Sequence, residues 1–188
     1  MLNNIKLTSK DSLSRYLHSV NIYTWDDLIT HVKNLPYGRN SNRYDFDLVI
    51  KENKGTCSSK HALLKKVAEL NELSSVKLIL GIYKMNPTNT PKIGKVLSKN
   101  SIDYIPEAHC YLLIDGVRFD FTNSNSKFES IENDIINEIK ISPEEVVEFK
   151  VIYHKTFIKD WLQQSKSKYT FEHIWEIREK CIEVLNLN

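Results

Sequence analysis

Residues 108–122, AHCYLLIDGVRFDFT, decide the predicted fold, because they carry a turn signal between two apolar runs. An Asp-Gly pair flanked by alternating hydrophobic residues is the strongest short-range indication of a β-hairpin, since both turn residues tolerate positive φ angles. With Asp115 and Gly116 as the two loop residues, Ile114 pairs with Val117. The stretch therefore predicts two antiparallel strands joined by a tight turn.

The same register places two chemically active side chains on one face of the hairpin. Tyr111 is opposite Asp120. His109 is opposite Thr122, and cross-strand partners share a face. His109 and Asp120 are then diagonal neighbours, about 7–8 Å apart at the backbone, which is close enough for their side chains to meet. The hairpin is therefore predicted to deliver an imidazole with a carboxylate that orients it, whereas a loop one residue longer would separate them.

Upstream of the hairpin, residues 55–59, GTCSS, lie where a loop becomes a helix. A helix over about 57–73 is predicted by an apolar stripe, which consists of Leu63, Leu64, Val67, Ala68 and Leu70. A thiol in its first turn faces unpaired backbone N–H groups and the positive helix end, both of which favour the thiolate. The same N–H groups, including that of Cys57, can hold an oxyanion. The alternative is that Cys57 is a small buried hydrophobic residue.

Cys57, His109 and Asp120 are together predicted to form a nucleophilic triad. An imidazole can deprotonate the thiol and later protonate a leaving amine, while the carboxylate fixes the tautomer of the ring. Taken singly, the histidine can equally be a solvated or core residue and the aspartate a turn residue. His61 is a rival base, because it lies four residues after Cys57 on the same helix face, although that face is expected to enter the core.

The 188 residues are predicted to form a single domain, 1–188, with a core at about 37–153 and helical flanks at 1–36 and 154–188. Runs of apolar and β-branched residues predict strands at 76–83, 108–114, 117–122 and 146–153, and a long connection covers 84–107. Helices that precede a series of consecutive strands favour an α+β fold with an antiparallel sheet.

Composition excludes several classes of function. Twenty-six basic and twenty-four acidic residues leave a net charge of +2, so the chain has no overall attraction for nucleic acid or membranes. Three widely spaced cysteines argue against both a zinc site and a disulfide framework. No secretory signal or membrane-spanning run is visible. A cytoplasmic protein is predicted, with no metal, no cofactor, and no nucleic-acid or membrane partner.

The order of these motifs resembles the transglutaminase-like superfamily. The matching residues are Gly-Thr-Cys57 opening a helix, His109-Cys-Tyr at the start of a strand, and Asp120-Phe-Thr on the next strand. The resemblance covers about residues 37–123. It implies a papain-like α+β core, with the cysteine helix packed on an antiparallel sheet and flanked by N- and C-terminal helices. It also implies acyl chemistry on a peptide or protein amide through a thioester, which ends in hydrolysis or in transfer to an amine.

The chain departs from the family pattern at two points. Cys110 takes the place of the usual aromatic residue after the histidine. The oxyanion-stabilising side chain upstream of the cysteine has no clear equivalent, and Tyr37 and Asn40 are the candidates, each of which can instead be an ordinary loop residue. Two alternatives to catalysis remain: a binding module of the same fold that captures peptides or proteins, and a structural protein with three inert cysteines.

Other polar and sulfur-bearing side chains are assigned structural roles. The residues Lys60, Lys65 and Lys66 are expected on a solvent-exposed helix face, and Cys110 and Cys181 are expected to pack in the interior. Arg118 shares the face of the predicted triad, where it either binds an acidic substrate group or is solvated.

Overall fold

The structure is a computed structural model that describes residues 4–186. Within that range the chain is a mixed α+β protein, with seven α-helices around a four-stranded antiparallel sheet, which confirms the predicted class. The helices are α1 (Ser12–Ser19), α2 (Trp25–Asn34), α3 (Leu48–Lys51), α4 (Cys57–Leu70), α5 (Gly94–Lys99), α6 (Glu148–Gln164) and α7 (Phe171–Asn186). The strands are β1 (Val76–Met85), β2 (Ile105–Ile114), β3 (Val117–Phe119) and β4 (Ile135–Ile141). Over residues 4–186, no helix is long and apolar enough to cross a membrane.

The hairpin of β2 and β3 has the predicted two-residue turn. Asp115 and Gly116 both have positive φ, 51° and 82°, as a tight turn of this kind requires. Ile114 pairs with Val117, which confirms the predicted register. The third strand is only three residues long, so the pairs predicted beyond it are not part of the ladder.

The sheet, in the order β3-β2-β1-β4, separates two hydrophobic clusters. On one face Leu78, Leu80 and Leu112 pack with the apolar stripe of α4 and with α1 and α2. On the other face Ile79 and Tyr111 join side chains of α5, α6 and α7. This division follows from the two-residue period of a strand. Helix α4 is thus buried between the sheet and the N-terminal helices, which holds its first residue in a fixed position beside β2.

Gly81, in the middle of β1, allows the ring of Tyr111 to lie across the strand. A Cβ atom at position 81 would be 2.8 Å from Cε1 and from the hydroxyl oxygen of that ring. Tyr111 is fully buried and its hydroxyl donates to Glu138, so the ring has little room to move. We expect Gly81→Ala to lower the free energy of unfolding by about 1–3 kcal/mol, measured by denaturant unfolding. Gly94→Ala is the matched control, because its Cβ would lie 3.5 Å from Pro87; equal losses in both variants would contradict the packing argument.

Three segments differ from the prediction. The strand predicted at 146–153 is wrong, because helix α6 occupies most of it and crosses the predicted core boundary. The helix forms because His154, Ile158 and Leu162 recur every four residues and are buried together. The fourth strand is β4 instead, which pairs with β1. The predicted connection at 84–107 contains α5 and the first residues of β2.

Candidate active site

Cys57 is the first residue of α4, and a capping box organises the chain around it. Thr56 Oγ1 accepts the backbone N–H of Ser59 at 3.3 Å, and Ser59 Oγ accepts that of Thr56 at 2.9 Å. Gly55 precedes the capping box, and a Cβ atom at this position would lie 2.8 Å from the side chain of Lys60. The backbone of Gly55 pairs with that of Tyr37 in a parallel β-bridge. The sulfur of Cys57, a buried residue, is therefore held at the positive end of a helix.

The side chains of His109 and Asp120 meet, although Asp120 lies one residue beyond the paired part of the hairpin. His109 Nε2 lies 2.9 Å from Asp120 Oδ2. The other carboxylate oxygen accepts the backbone N–H of Thr122 at 2.9 Å and its hydroxyl at 2.5 Å. Burial alone would raise the pKa of Asp120, but the charge and hydrogen bond of His109 hold it well below the usual range. The carboxylate is therefore fixed in place and ionised.

The ring of His109 also lies near enough to the thiol of Cys57 for the two groups to act on each other's charge. Burial alone would raise the pKa of Cys57. The charge of Lys150 and the charge and hydrogen bond of His109 instead lower it to about 6, with a contribution from the backbone N–H of Cys110. Burial also opposes the charged form of His109, but Asp120 and Cys57 raise its pKa well above 6.5. At neutral pH the pair is therefore a thiolate facing an imidazolium.

Lys150 is a residue of this site that the sequence analysis missed. Its ammonium group lies 3.8 Å from the sulfur of Cys57 and donates to Ser58 Oγ at 2.7 Å. Burial would lower its pKa, but the nearby sulfur groups of Cys110 and Cys57 raise it, so the group is charged. Lys150 reaches the site from α6, and no local motif in the sequence marks it.

His61, the rival base, holds the site together instead. Its Nε2 accepts the backbone N–H of Phe121 at 2.9 Å, so the proton of the neutral ring is on Nδ1. Nδ1 lies 2.8 Å from the carbonyl oxygen of Cys57 and donates to it. Burial lowers the pKa of His61 to about 4, so the ring is neutral. Both nitrogens are occupied by backbone groups, which leaves neither of them for the thiol.

Tyr37 and Asn40 occupy different places. Tyr37 lines the cavity beside Cys57, and 44% of its surface is exposed. Burial of the phenol end and the charge of Cys57 raise its pKa, so it remains a hydrogen-bond donor. The amide nitrogen of Asn40 instead donates to Lys54 O at 3.0 Å and to Leu48 O at 3.2 Å. Asn40 therefore fastens the loop that carries Tyr37, and Tyr37 is the better placed of the two oxyanion candidates.

A cavity of about 640 Å³ opens beside Cys57. It is formed by the loop after α2, the start of α4, β2, α6 and α7. In its wall, Arg178 binds Glu107 with two hydrogen bonds, of 2.8 and 2.6 Å. Within the described residues no group of three or more His, Cys, Asp and Glu side chains could hold a metal ion.

The prediction that Lys60, Lys65 and Lys66 lie on a solvent-exposed face of α4 is wrong for the first two of these residues. Lys60 is fully buried and donates to the carbonyl oxygens of Leu35 at 2.5 Å and Thr122 at 2.7 Å. Lys65 is also buried and donates to Val76 O at 3.0 Å.

The remaining side chains that the sequence analysis singled out also have partners or are buried. Arg118 forms a two-pronged ion pair with Glu138 on the sheet, with contacts of 2.8 and 2.7 Å. Cys110 and Cys181 are fully buried free thiols, as expected, and burial raises the pKa of each.

Comparison of the chain with protein-family models, with curated proteins and with solved structures gave no match. The case for a function therefore rests on the geometry of the site itself.

Proposed function

We propose that the protein is a cysteine-dependent amide hydrolase or acyltransferase of the transglutaminase-like type, with a papain-like core. The observation that carries the proposal is the 2.9 Å contact between the ring of His109 and the carboxylate of Asp120, with that ring acting electrostatically on the thiol of Cys57. A nucleophile, a base in hydrogen-bond contact with it, and a third group that orients the base are the parts that acyl transfer needs.

In the first half-reaction the thiolate of Cys57 attacks the carbonyl carbon of an amide, and the carbonyl electron pair moves onto oxygen. The tetrahedral intermediate then collapses, the C–N bond breaks, and the imidazolium of His109 gives its proton to the departing amine. Asp120 keeps the ring oriented through Nε2 while its charge changes. The products of this half are a free amine and a thioester on Cys57.

In the second half-reaction the neutral ring of His109 removes a proton from water or from an acceptor amine. The activated oxygen or nitrogen attacks the thioester carbon, the C–S bond breaks, and the thiolate of Cys57 is restored beside the imidazolium. Water as acceptor gives hydrolysis, and an amine gives acyl transfer. No cofactor is needed for either outcome.

Two donors face the carbonyl oxygen as it becomes negative. The backbone N–H of Cys57 is at the start of α4, where helical N–H groups have no partner within the helix. The phenol of Tyr37 is a second donor in the same cavity.

A volume of about 640 Å³ suits a small part of a peptide or protein chain around the scissile amide. Three free thiols also fit a reducing compartment such as the cytoplasm.

The proposal is tested by the pH dependence of iodoacetamide alkylation, read at each cysteine by mass spectrometry. We expect Cys57 to react with a midpoint near pH 6, because His109, Lys150 and the N–H of Cys110 all stabilise the thiolate. The buried thiols of Cys110 and Cys181 have raised pKa values and serve as internal controls that react slowly. Equal, slow alkylation of all three thiols would contradict the proposal.

A thiol-directed peptide electrophile separates catalysis from binding alone. A catalytic Cys57 is modified covalently by the electrophile, and the modification is lost in Cys57→Ser. A binding module would retain the peptide reversibly and would gain no mass.

A further inference from the structure

The cavity beside Cys57 has an excess of positive charge. Five basic side chains line it: Arg39, Arg43, Lys150, Lys155 and Arg178. Among the described residues only two acidic side chains line it, and both are bound to the same arginine: Glu107 and Glu179 contact Arg178 at 2.6 and 2.8 Å. Arg178 is therefore matched by two carboxylates, and the other four cations have no carboxylate within ion-pair distance among the described residues.

The ammonium group of Lys150 is the cation nearest to the reacting sulfur. It has three N–H donors. One is used by Ser58 Oγ at 2.7 Å, and a second points at Cys57 Sγ at 3.8 Å. Within residues 4–186 no carboxylate lies within ion-pair distance of it. The thiolate is thus its closest anion.

Formation of the thioester removes that anion. Once Cys57 carries an acyl group, its sulfur is neutral, and the ammonium of Lys150 remains partly buried beside it. Glu107 still acts on the charge of Lys150 from a greater distance, but the nearest anion is lost, so a negative group of the acyl substrate would be stabilised at this point in the cavity. Arg39 and Arg43 are exposed at the mouth of the same cavity, where they attract anions from solution.

We infer that Lys150, supported by Arg39 and Arg43, forms a carboxylate-binding subsite, and that the amide substrate carries an acidic group on its acyl side. That the ligand is a substrate rests on the proposed function. The subsite itself is defined by the charges of the cavity and can be tested separately. Lys150 selects the acyl group by its charge, whereas the triad performs the chemistry.

The test compares iodoacetate with iodoacetamide, which share the reacting carbon and differ by a carboxylate in place of an amide. The ratio of the two alkylation rates at Cys57 is independent of the fraction of thiolate, because that fraction affects both reagents equally. We expect iodoacetate to be the faster reagent in the wild-type protein. In Lys150→Gln the ratio should fall by about tenfold or more, while Lys150→Arg should retain it. Lys159→Gln, an exposed lysine on the same helix, is the control that leaves the ratio unchanged.

A second measurement needs no reactive thiol. Succinate is titrated calorimetrically into Cys57→Ser, in which the competing thiolate is absent. We expect saturable binding that disappears in Cys57→Ser/Lys150→Gln. The inference would be overturned if iodoacetate reacted more slowly than iodoacetamide and Lys150→Gln left the ratio of the two rates unchanged. The absence of succinate binding would also overturn it. If Cys57 is reactive but one of these two negative results is found, the subsite is wrong and the proposed function is still supported. If succinate binds but Cys57 is unreactive, the subsite is supported and the proposed function is not.

Discussion

Replacement of His109 by glutamine is expected to move the midpoint of thiolate formation at Cys57 from about pH 6 toward about 8.5, the value of an ordinary thiol. The shift follows because the variant lacks the positive ring near the sulfur, while burial of the thiol continues to favour its neutral form and the charge of Lys150 still opposes that effect. Ultraviolet absorbance of the thiolate, followed through a pH titration, measures the midpoint directly.

His173→Gln is the control for this titration, because His173 is exposed on α7 and its loss should leave the midpoint in place. Asp120→Asn is expected to give an intermediate result, since the ring remains but the carboxylate that favours its charged form does not. A midpoint that stays near pH 6 in His109→Gln would show that the imidazole does not act on the sulfur.

Replacement of Glu107 by glutamine is expected to lower the free energy of unfolding by about 3 kcal/mol, measured by denaturant unfolding at neutral pH. Glu107 is 6% exposed and holds Arg178 through two hydrogen bonds, with His154 Nε2 at 3.9 Å. In the variant the largely buried guanidinium of Arg178 faces a neutral amide at position 107. The loss of stability is therefore expected to be larger than that caused by breaking a surface ion pair. The matched control is Glu176→Gln, whose exposed pair with Lys180 should contribute far less to stability, because solvent screens it.

The same carboxylate gives this effect a defined pH dependence. Burial would raise the pKa of Glu107, but the charge of Arg178 lowers it from 4.5 to about 2. A lowered pKa in the folded protein means that the stabilisation is complete above about pH 4.5 and is lost as the pH falls toward about 2. The difference in stability between wild type and Glu107→Gln should therefore narrow over that interval. A difference that is constant with pH would contradict the role of the ionised pair.

The parts of the fold that sequence predicted correctly depend on local signals. The turn at Asp115 and Gly116 requires positive φ at adjacent residues, and few dipeptides provide it. Once that turn is placed, the register of the strands follows, and with it the contact between His109 and Asp120. The start of α4 is also local, because a threonine cap with a partner three residues later is a short motif.

The parts that sequence could not predict depend on contacts between distant segments. Residues 146–153 are rich in β-branched and aromatic side chains, which favours a strand, but packing of α6 against the sheet overrides that preference. Lys150 reaches Cys57 only because of this packing, across 93 positions of the chain. Lysine is likewise a residue type expected at the surface, and Lys60 is buried only because the chain brings the carbonyl groups of Leu35 and Thr122 to it from distant segments.

The bridge made by His61 has a consequence for how the site tolerates motion. Its two nitrogens join the carbonyl of Cys57 to the amide of Phe121, the residue that follows Asp120. The start of α4 and the residue after Asp120 are thereby joined through one side chain, while Lys150 belongs to a separate helix, α6. Displacement of that helix would therefore change the pKa of Cys57, which Lys150 lowers, while the His61 bridge between the carbonyl of Cys57 and the amide of Phe121 stays in place.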